Sequence, residues 1–280
     1  MLRRVFTAIR GRWRRFFMGL ATLVGQARGF FSPYRYAQSV KPIAYPELEV
    51  VFRAASPDML VVLDGISGHM DRLAGFAGPP PEPRWDQSWF PRLDGAAAYT
   101  IARAAAPARM IEVGSGHSTR MLMKALEDAG GQGFEMTCID PEPRADLAGL
   151  GVRLERRVLD EIDIPRFAEL EPGDIAFFDS SHILWPGSDV DLILNRIIPK
   201  LHPGVLVHLH DITLPDAYPE SWSWRGYTEQ NGLVGWLGAE GLQIMFSSHY
   251  ALTRLGAADR LTRIPLPKGA LETSLWLRRC

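Results

Sequence analysis

The chain has 280 residues, 46% hydrophobic and 22% charged, with a formal net charge of −1. That is chain enough for one sizeable core plus an appendage, and it excludes wholesale disorder. The charge is uneven: residues 1–40 hold eight arginines and no acid, leaving 23 basic against 32 acidic residues, about −9, in the rest. An acidic main body argues against nucleic acid as the partner, and two cysteines, Cys138 and Cys280, give no disulfide framework and fit a reducing cytoplasm.

Residues 1–29 read as a basic amphipathic helix. At roughly 100° per residue, Val5, Phe6, Ile9, Trp13, Phe16, Phe17, Leu20 and Leu23 share one face, and the arginines at 3, 4, 10, 12, 14 and 15 fill the rest. The apolar run from Phe16 to Val24 is broken by Gly19 and falls short of the ~20 residues of a spanning helix. No small-residue cleavage site follows it, so it is not read as a secretory signal. Two readings remain: a helix lying on an anionic membrane surface, at the inner face of the membrane, or one packed on the body or a partner subunit.

Residues 30–83 read as a helical extension ending in a proline linker. Tyr45 to Phe76 is expected to form two short helices around the Ser56-Pro57 break, and Gly78-Pro-Pro-Pro-Glu-Pro83 cannot be helical. Residues 84–280 are the expected main domain. Trp85, Trp89 and Phe90, ahead of a helix over Arg92–Ala105, either wall a ligand pocket or close the core.

From Met110 onward strands and helices alternate, as in a doubly wound, mostly parallel sheet. The expected strands are 110–113, 136–140, 152–159, 174–179 and 204–210, with a closing pair at 242–247 and 273–277. The fold class is therefore α/β, a Rossmann-like seven-stranded sheet with an N-terminal helical extension. Nothing in the chain specifies an oligomeric state.

The central stretch is Glu112-Val-Gly-Ser-Gly-His-Ser118, a strand turning sharply into a helix. Such a turn is expected to present bare backbone amides, with the positive helix end behind them, to a ligand over the strand tip. Gly114 and Gly116 let that ligand approach the backbone, with Ser115 and Ser118 beside it. A third glycine at the dinucleotide spacing would fall at Thr119, which disfavours a nicotinamide oxidoreductase without removing it as a rival. The Gly-x-Ser-x-Gly elbow of Ser–His–Asp hydrolases is absent. Asp140 ends the next strand, where a carboxylate accepts both hydroxyls of a ribose or, alternatively, caps the Pro141 turn.

The acidic strand end, the glycine loop and the following strand-terminal acid resemble the class I S-adenosylmethionine-dependent methyltransferases. The resemblance implies S-adenosylmethionine over Glu112, Gly114, Ser115, Gly116 and Ser118, its ribose on Asp140, and Asp160 near its adenine amino group. A second constellation, Phe177-Phe-Asp-Ser-Ser-His182 with Val207-His-Leu-His-Asp211, resembles the catechol-type O-methyltransferases. That likeness implies Asp179, His210 and Asp211 as ligands of a divalent metal and His182 as general base beside Asp179. The pattern departs from the family: His210 stands for an acid, Asp211 for an amide and His182 for a lysine, and histidine favours transition metals over magnesium.

An imidazole, near 6.5 when unperturbed, can take a hydroxyl proton at neutral pH. The alternative is a hydrogen-bonded network that only orders the loops. The long aromatic segment 214–230 is expected to form a lid and acceptor pocket, with Trp222, Trp224, Tyr227 and Glu229 facing the acceptor. Together with Gly187-Ser-Asp-Val190, these motifs resemble a bacterial branch of small class I methyltransferases over roughly residue 30 to the end. The expected activity is O-methylation of a small-molecule or glycan- or lipid-linked hydroxyl. The non-enzymatic rival is a membrane-surface or partner-binding protein on a degenerate methyltransferase fold.

Overall fold

A computed structural model describes residues 2–26, 28–30, 32, 34–131 and 133–280, with side chains from Trp13 onward. Helix α1 (Leu2–Leu23) is followed by an irregular segment and then by α2 (Glu49–Ala54), α3 (Ser56–Gly68) and α4 (Met70–Ala74). Helix α1 ends at Leu23, six residues before the expected limit. The Ser56-Pro57 pair opens α3 rather than merely breaking a helix. Proline fits the first helical turn because its missing N–H has no intrahelical partner there anyway.

Helix α5 (Arg92–Ala105) leads into β1 (Arg109–Val113), and α6 (His117–Asp128) leaves it. The chain continues through β2 (Glu135–Ile139), β3 (Arg153–Glu155), α7 (Ile164–Phe167), β4 (Ile175–Phe178), α8 (Asp189–Leu192) and β5 (Leu206–Leu209). It closes with α9 (Glu229–Gly238), β6 (Leu242–Ser247), α10 (Ser248–Arg254) and β7 (Leu275–Arg279).

The seven strands form one sheet in the order β3-β2-β1-β4-β5-β7-β6. All neighbours from β3 to β5 are parallel; β7 runs antiparallel to both β5 and β6. The third strand is shorter than the expected 152–159. The Arg157 amide turns back to the Glu155 carbonyl at 2.9 Å, and its guanidinium is held by Glu155 and Asp163, which bends the chain away from the sheet.

The central strands are buried, as a parallel sheet covered on both faces requires. Helix α5 packs against α6, and α3 packs against α5, so Phe52, Met59, Leu63, Ile66 and Leu73 enter the same core as the sheet. The Trp85 indole donates to the Leu73 carbonyl across the proline run at 2.7 Å. Among the described residues no helix is long and apolar enough to cross a membrane.

From β1 the chain winds outward through β2 and β3, then returns to β4 on the other side. The crevice at this reversal of strand order, outside the carboxyl ends of β1 and β4, is where ligands bind in open α/β sheets.

Candidate functional site

The glycine turn after β1 is tightly built. Gly114 adopts φ +78°, and a Cβ there would lie 1.8 Å from the Asp179 carbonyl oxygen. The Asp179 amide in turn donates to the Val113 carbonyl at 2.8 Å, so the ends of β1 and β4 are locked together. The three amides expected to be bare all have partners within the protein. Gly114 N–H donates to the Ile139 carbonyl, Ser115 N–H to Asp140 Oδ2 at 2.6 Å, and Gly116 N–H to Thr119 Oγ1 at 2.9 Å. A turn this sharp brings the acceptors of the neighbouring strand and the first helical turn within reach, and buried amides rarely stay unpaired.

Asp140 does point at the turn. Its Oδ2 accepts from the Ser115 amide and hydroxyl and its Oδ1 from the Glu142 amide, which fills three of the roughly four acceptor positions of a carboxylate. The chain beyond it folds over the turn: a Cβ on Gly116 would stand 3.3 Å from Arg144 Cβ and Ala145 N. Glu112 is wholly buried and accepts from Ser118 Oγ at 2.6 Å, Thr119 Oγ1 at 2.5 Å and Cys138 Sγ at 3.4 Å. Burial pushes its carboxyl up to about 7 against those three hydrogen bonds. Glu112 and Ser118 thus face each other beneath the turn. Asp160 is exposed and caps a short turn by accepting from the Glu161 amide, apart from the strand-tip cavity.

The second constellation does converge. A cavity of about 180 Å3 opens at the tips of β4 and β5, lined by Asp179, Ser180, His182, His210 and Asp211 below, and by Trp89, Arg144, Trp222, Arg225, Tyr227 and Leu271 around the rim. Of the three aromatics before α5, only Trp89 lines it; Trp85 and Phe90 are buried in the core. Two guanidinium groups lie over indole faces at the rim, Arg144 on Trp89 at 4.0 Å and Arg225 on Trp222 at 4.2 Å. The cavity is smaller than the roughly 300–1,000 Å3 of most ligand pockets, because the Arg144 segment lies across the glycine turn. An apolar groove of about 760 Å3 sits between α3 and α5 at the opposite ends of the strands, away from these groups.

His182 is the hub. Its Nδ1 lies 2.8 Å from Glu229 Oε2, and its Nε2 lies 3.1 Å from Asp179 Oδ1 and 3.7 Å from Asp211 Oδ2. Burial alone would lower its pKa, but the hydrogen bonds to Asp179 and Glu229 and the charges of Asp211 and Glu229 hold it well above the usual imidazole value. Burial likewise opposes the ionised form of Asp179, yet the charges of His210 and His182 and the His182 hydrogen bond bring its carboxyl down to about 2. His210 is also raised against its burial, by Asp179, Asp211 and Asp94. Tyr227 packs over the His182 ring at 4.6 Å between centroids.

Glu229, expected to face the acceptor, instead sits behind His182 at the start of α9, and Trp224 lies outside the cavity lining. Trp222 and Tyr227 do line it.

Asp179, His210 and Asp211 do not fit a divalent metal. Asp179 Oδ1 is taken by His182, and Asp211 is held by the Arg225 guanidinium at 3.0 Å and by Thr273 Oγ1 at 3.1 Å. A cation would have to displace one already there. Among the described residues no group of three or more His, Cys, Asp or Glu side chains is arranged to hold an ion. The same cavity does suit a polar organic ligand. Ser180 Oγ and Arg225 Nε, both on lining residues, are buried without a hydrogen-bond partner.

Sequence reasoning missed Arg144, Ser180 and Arg225. Arg225 had a signal, a lone cation inside the aromatic run Trp222-Ser-Trp-Arg-Gly-Tyr227; Arg144 and Ser180 had none stronger than nearness to Asp140 and Asp179.

Residues 111–212, from β1 to the end of β5 and so including Asp140, Asp179, His182 and His210, match the model of a methyltransferase domain family. No match is found among curated proteins. Solved structures similar to this chain include a "putative O-methyltransferase" from Klebsiella pneumoniae, 17% identical over 78% of this chain and 89% of that one, with a TM-score of 0.42. Another is the O-methyltransferase TomG from Streptomyces achromogenes, involved in tomaymycin synthesis and solved with S-adenosylmethionine; it is 19% identical over 65% of this chain and 80% of that one, with a TM-score of 0.37. The matched segment, about a third of the chain, carries the glycine turn and the acid after β2 within the seven-stranded sheet, and over that span the chain is similar to a methyltransferase domain.

Proposed function

We propose that the protein methylates a hydroxyl oxygen, on a small-molecule or glycan- or lipid-linked acceptor, in the cavity above Asp179, His182 and His210. The observation that carries this reading is His182 itself: a buried imidazole held at Nδ1 by Glu229, with Nε2 directed at the carboxylates that floor the cavity. Bound S-adenosylmethionine supplies a methyl group already activated as a sulfonium. What remains for the chain is to align the acceptor and remove its proton.

In this reading Gly114, Ser115 and Gly116 form the floor on which the cofactor rests, Asp140 offers its remaining acceptor position to the ribose, and the Arg144 segment moves aside to admit the nucleoside. Glu112 and Ser118 support the turn from beneath. Asp160, exposed beyond β3, keeps an adenine contact only through movement of its loop. Ser180 Oγ donates a hydrogen bond to the acceptor's hydroxyl oxygen, Asp179 lies beside the His182 ring and stabilises it once charged, and His182 takes the hydroxyl's single proton at Nε2. Arg225, with Trp222 and Tyr227, lines the acceptor side. No step is assigned to a metal. Two unpaired cysteines, Cys138 buried and Cys280 exposed, support work in a reducing cytoplasm.

Calorimetry with S-adenosylhomocysteine and with NAD tests the cofactor. Binding of the first and not the second is expected, and the reverse would leave a nicotinamide oxidoreductase. Product analysis after incubation with labelled S-adenosylmethionine and hydroxyl- or amine-bearing acceptors tests the oxygen assignment.

A further inference from the structure

Helix α1 is turned the wrong way for a helix that serves the core. Among its described residues from Trp13 onward, Met18, Gly19, Ala21 and Thr22 are half-buried, whereas the large apolar Trp13, Phe16, Phe17, Leu20 and Leu23 are 48–70% exposed. Trp13, Phe16, Phe17 and Leu20 follow the i, i+3, i+4, i+7 spacing of one continuous helical stripe. The rings of Trp13, Phe16 and Phe17 cluster with centroids 5.5–6.1 Å apart, which makes that stripe a coherent apolar surface. Exposed apolar stripes of this size mark a surface that something else covers.

Charge identifies the cover. Residues 1–40 carry eight arginines and no acid, so the helix is drawn to an anionic surface and repelled by a second copy of itself. An aromatic stripe flanked by arginines, too polar to span a bilayer, is the pattern of a helix lying in the interface plane.

The helix also touches the reaction site. Arg15 donates to the Ser223 carbonyl at 3.4 Å, and its guanidinium reaches within 3.9 Å of the place a Cβ would occupy on Gly226. Ser223 and Gly226 flank Arg225 and follow Trp222, which line the acceptor side of the cavity. We propose that α1 lies on an anionic lipid bilayer and holds the rim of the acceptor cavity against it, so that the acceptor is a membrane-borne hydroxyl, carried on a lipid or on a lipid-linked glycan. The acceptor class rests on the O-methyltransferase reading above; the membrane contact does not.

The test uses the full chain with vesicles of phosphatidylcholine, with and without one third phosphatidylglycerol. Co-sedimentation with the anionic vesicles only is expected, lost at high ionic strength. The Phe16→Glu, Phe17→Glu double variant should partition at least tenfold more weakly while binding S-adenosylhomocysteine with unchanged affinity. A polarity-sensitive dye on Ser223→Cys, in a Cys280→Ser background, should shift to the blue on the anionic vesicles. The same dye on His202→Cys, ahead of β5 at the other end of the strands, should not. Failure to bind anionic vesicles would overturn the proposal. So would equal binding by the double variant, or a self-association seen by light scattering that the double variant abolishes. Vesicle binding without a shift at position 223 would overturn the presentation of the acceptor. Calorimetry with S-adenosylhomocysteine on the same samples reports separately on the methyltransferase reading.

Discussion

Glu229 Oε2 stands 2.8 Å from Nδ1 of His182, with both side chains almost wholly buried. This pairing fixes the imidazole ring and directs Nε2 at Asp179 and the cavity. It also helps to raise the pKa of His182, so the imidazole must shed a proton before it can accept one. Activity in kcat/KM is therefore expected to rise with pH through a value above 6.5. Glu229→Gln removes one of the raising influences, and its rising limb should move to lower pH with the cofactor affinity unchanged. A pH–rate profile of the two proteins checks this; coincident limbs would dissociate Glu229 from the titration.

His182→Ala should lower turnover by the ~100- to 10,000-fold typical of losing a general base. S-adenosylhomocysteine should bind as before, because no hydrogen bond joins His182 to the glycine turn. Single-turnover methyl transfer and calorimetry read the two effects apart. An active variant would remove His182 as the base.

Asp140→Ala should weaken S-adenosylhomocysteine by about 1.5–3 kcal/mol, the worth of hydrogen bonds to a charged group, or roughly tenfold to more than a hundredfold. Its carboxylate also braces the Ser115 and Glu142 amides, so the turn itself should loosen. Isothermal titration measures the affinity, and unchanged binding would refute the ribose assignment.

Gly114→Ala should cost more than about 3 kcal/mol of stability, well above the usual effect of one substitution. Its Cβ would fall 1.8 Å from the Asp179 carbonyl oxygen on a backbone at φ +78°, so β1 and β4 would have to separate. Urea denaturation provides the number; a loss under 1 kcal/mol would contradict the close approach.

Glu112 gives a pH dependence of stability. Its folded pKa is raised to about 7 from 4.5, so the folded state binds the proton more tightly than the unfolded chain. The corresponding stabilisation is complete below about 4.5, declines as pH rises and is gone above about 7. Asp94, raised by burial to about 6, acts in the same direction. Denaturation midpoints at a series of pH values should fall between pH 5 and 7, and Glu112→Gln should flatten that fall.

Much of the architecture is legible along the chain because it is written in local periodicity. Alternating apolar strands and amphipathic helices predict the doubly wound sheet, and the bounds of α5 and β6 coincide with those read from sequence. The third strand is shorter than its local pattern predicts because what ends it is not local: Asp163, beyond the strand, pulls Arg157 out of line. The strand-tip acids and histidines are legible as a set because each ends a strand of a parallel sheet.

The amino-acid sequence by itself determined the sheet, the glycine turn and the residues delivered to one edge, since these follow from spacing and from glycine's freedom. Only the tertiary structure decided how those residues divide the work. Hydrogen-bond partners come from distant segments: Asp140 is shared with Ser115, Asp211 with Arg225 and Thr273, and His182 with Glu229, 47 positions away. A buried polar group is defined by whatever reaches it within 3 Å, and no spacing in one chain reveals which of several acids, cations or amides will arrive first.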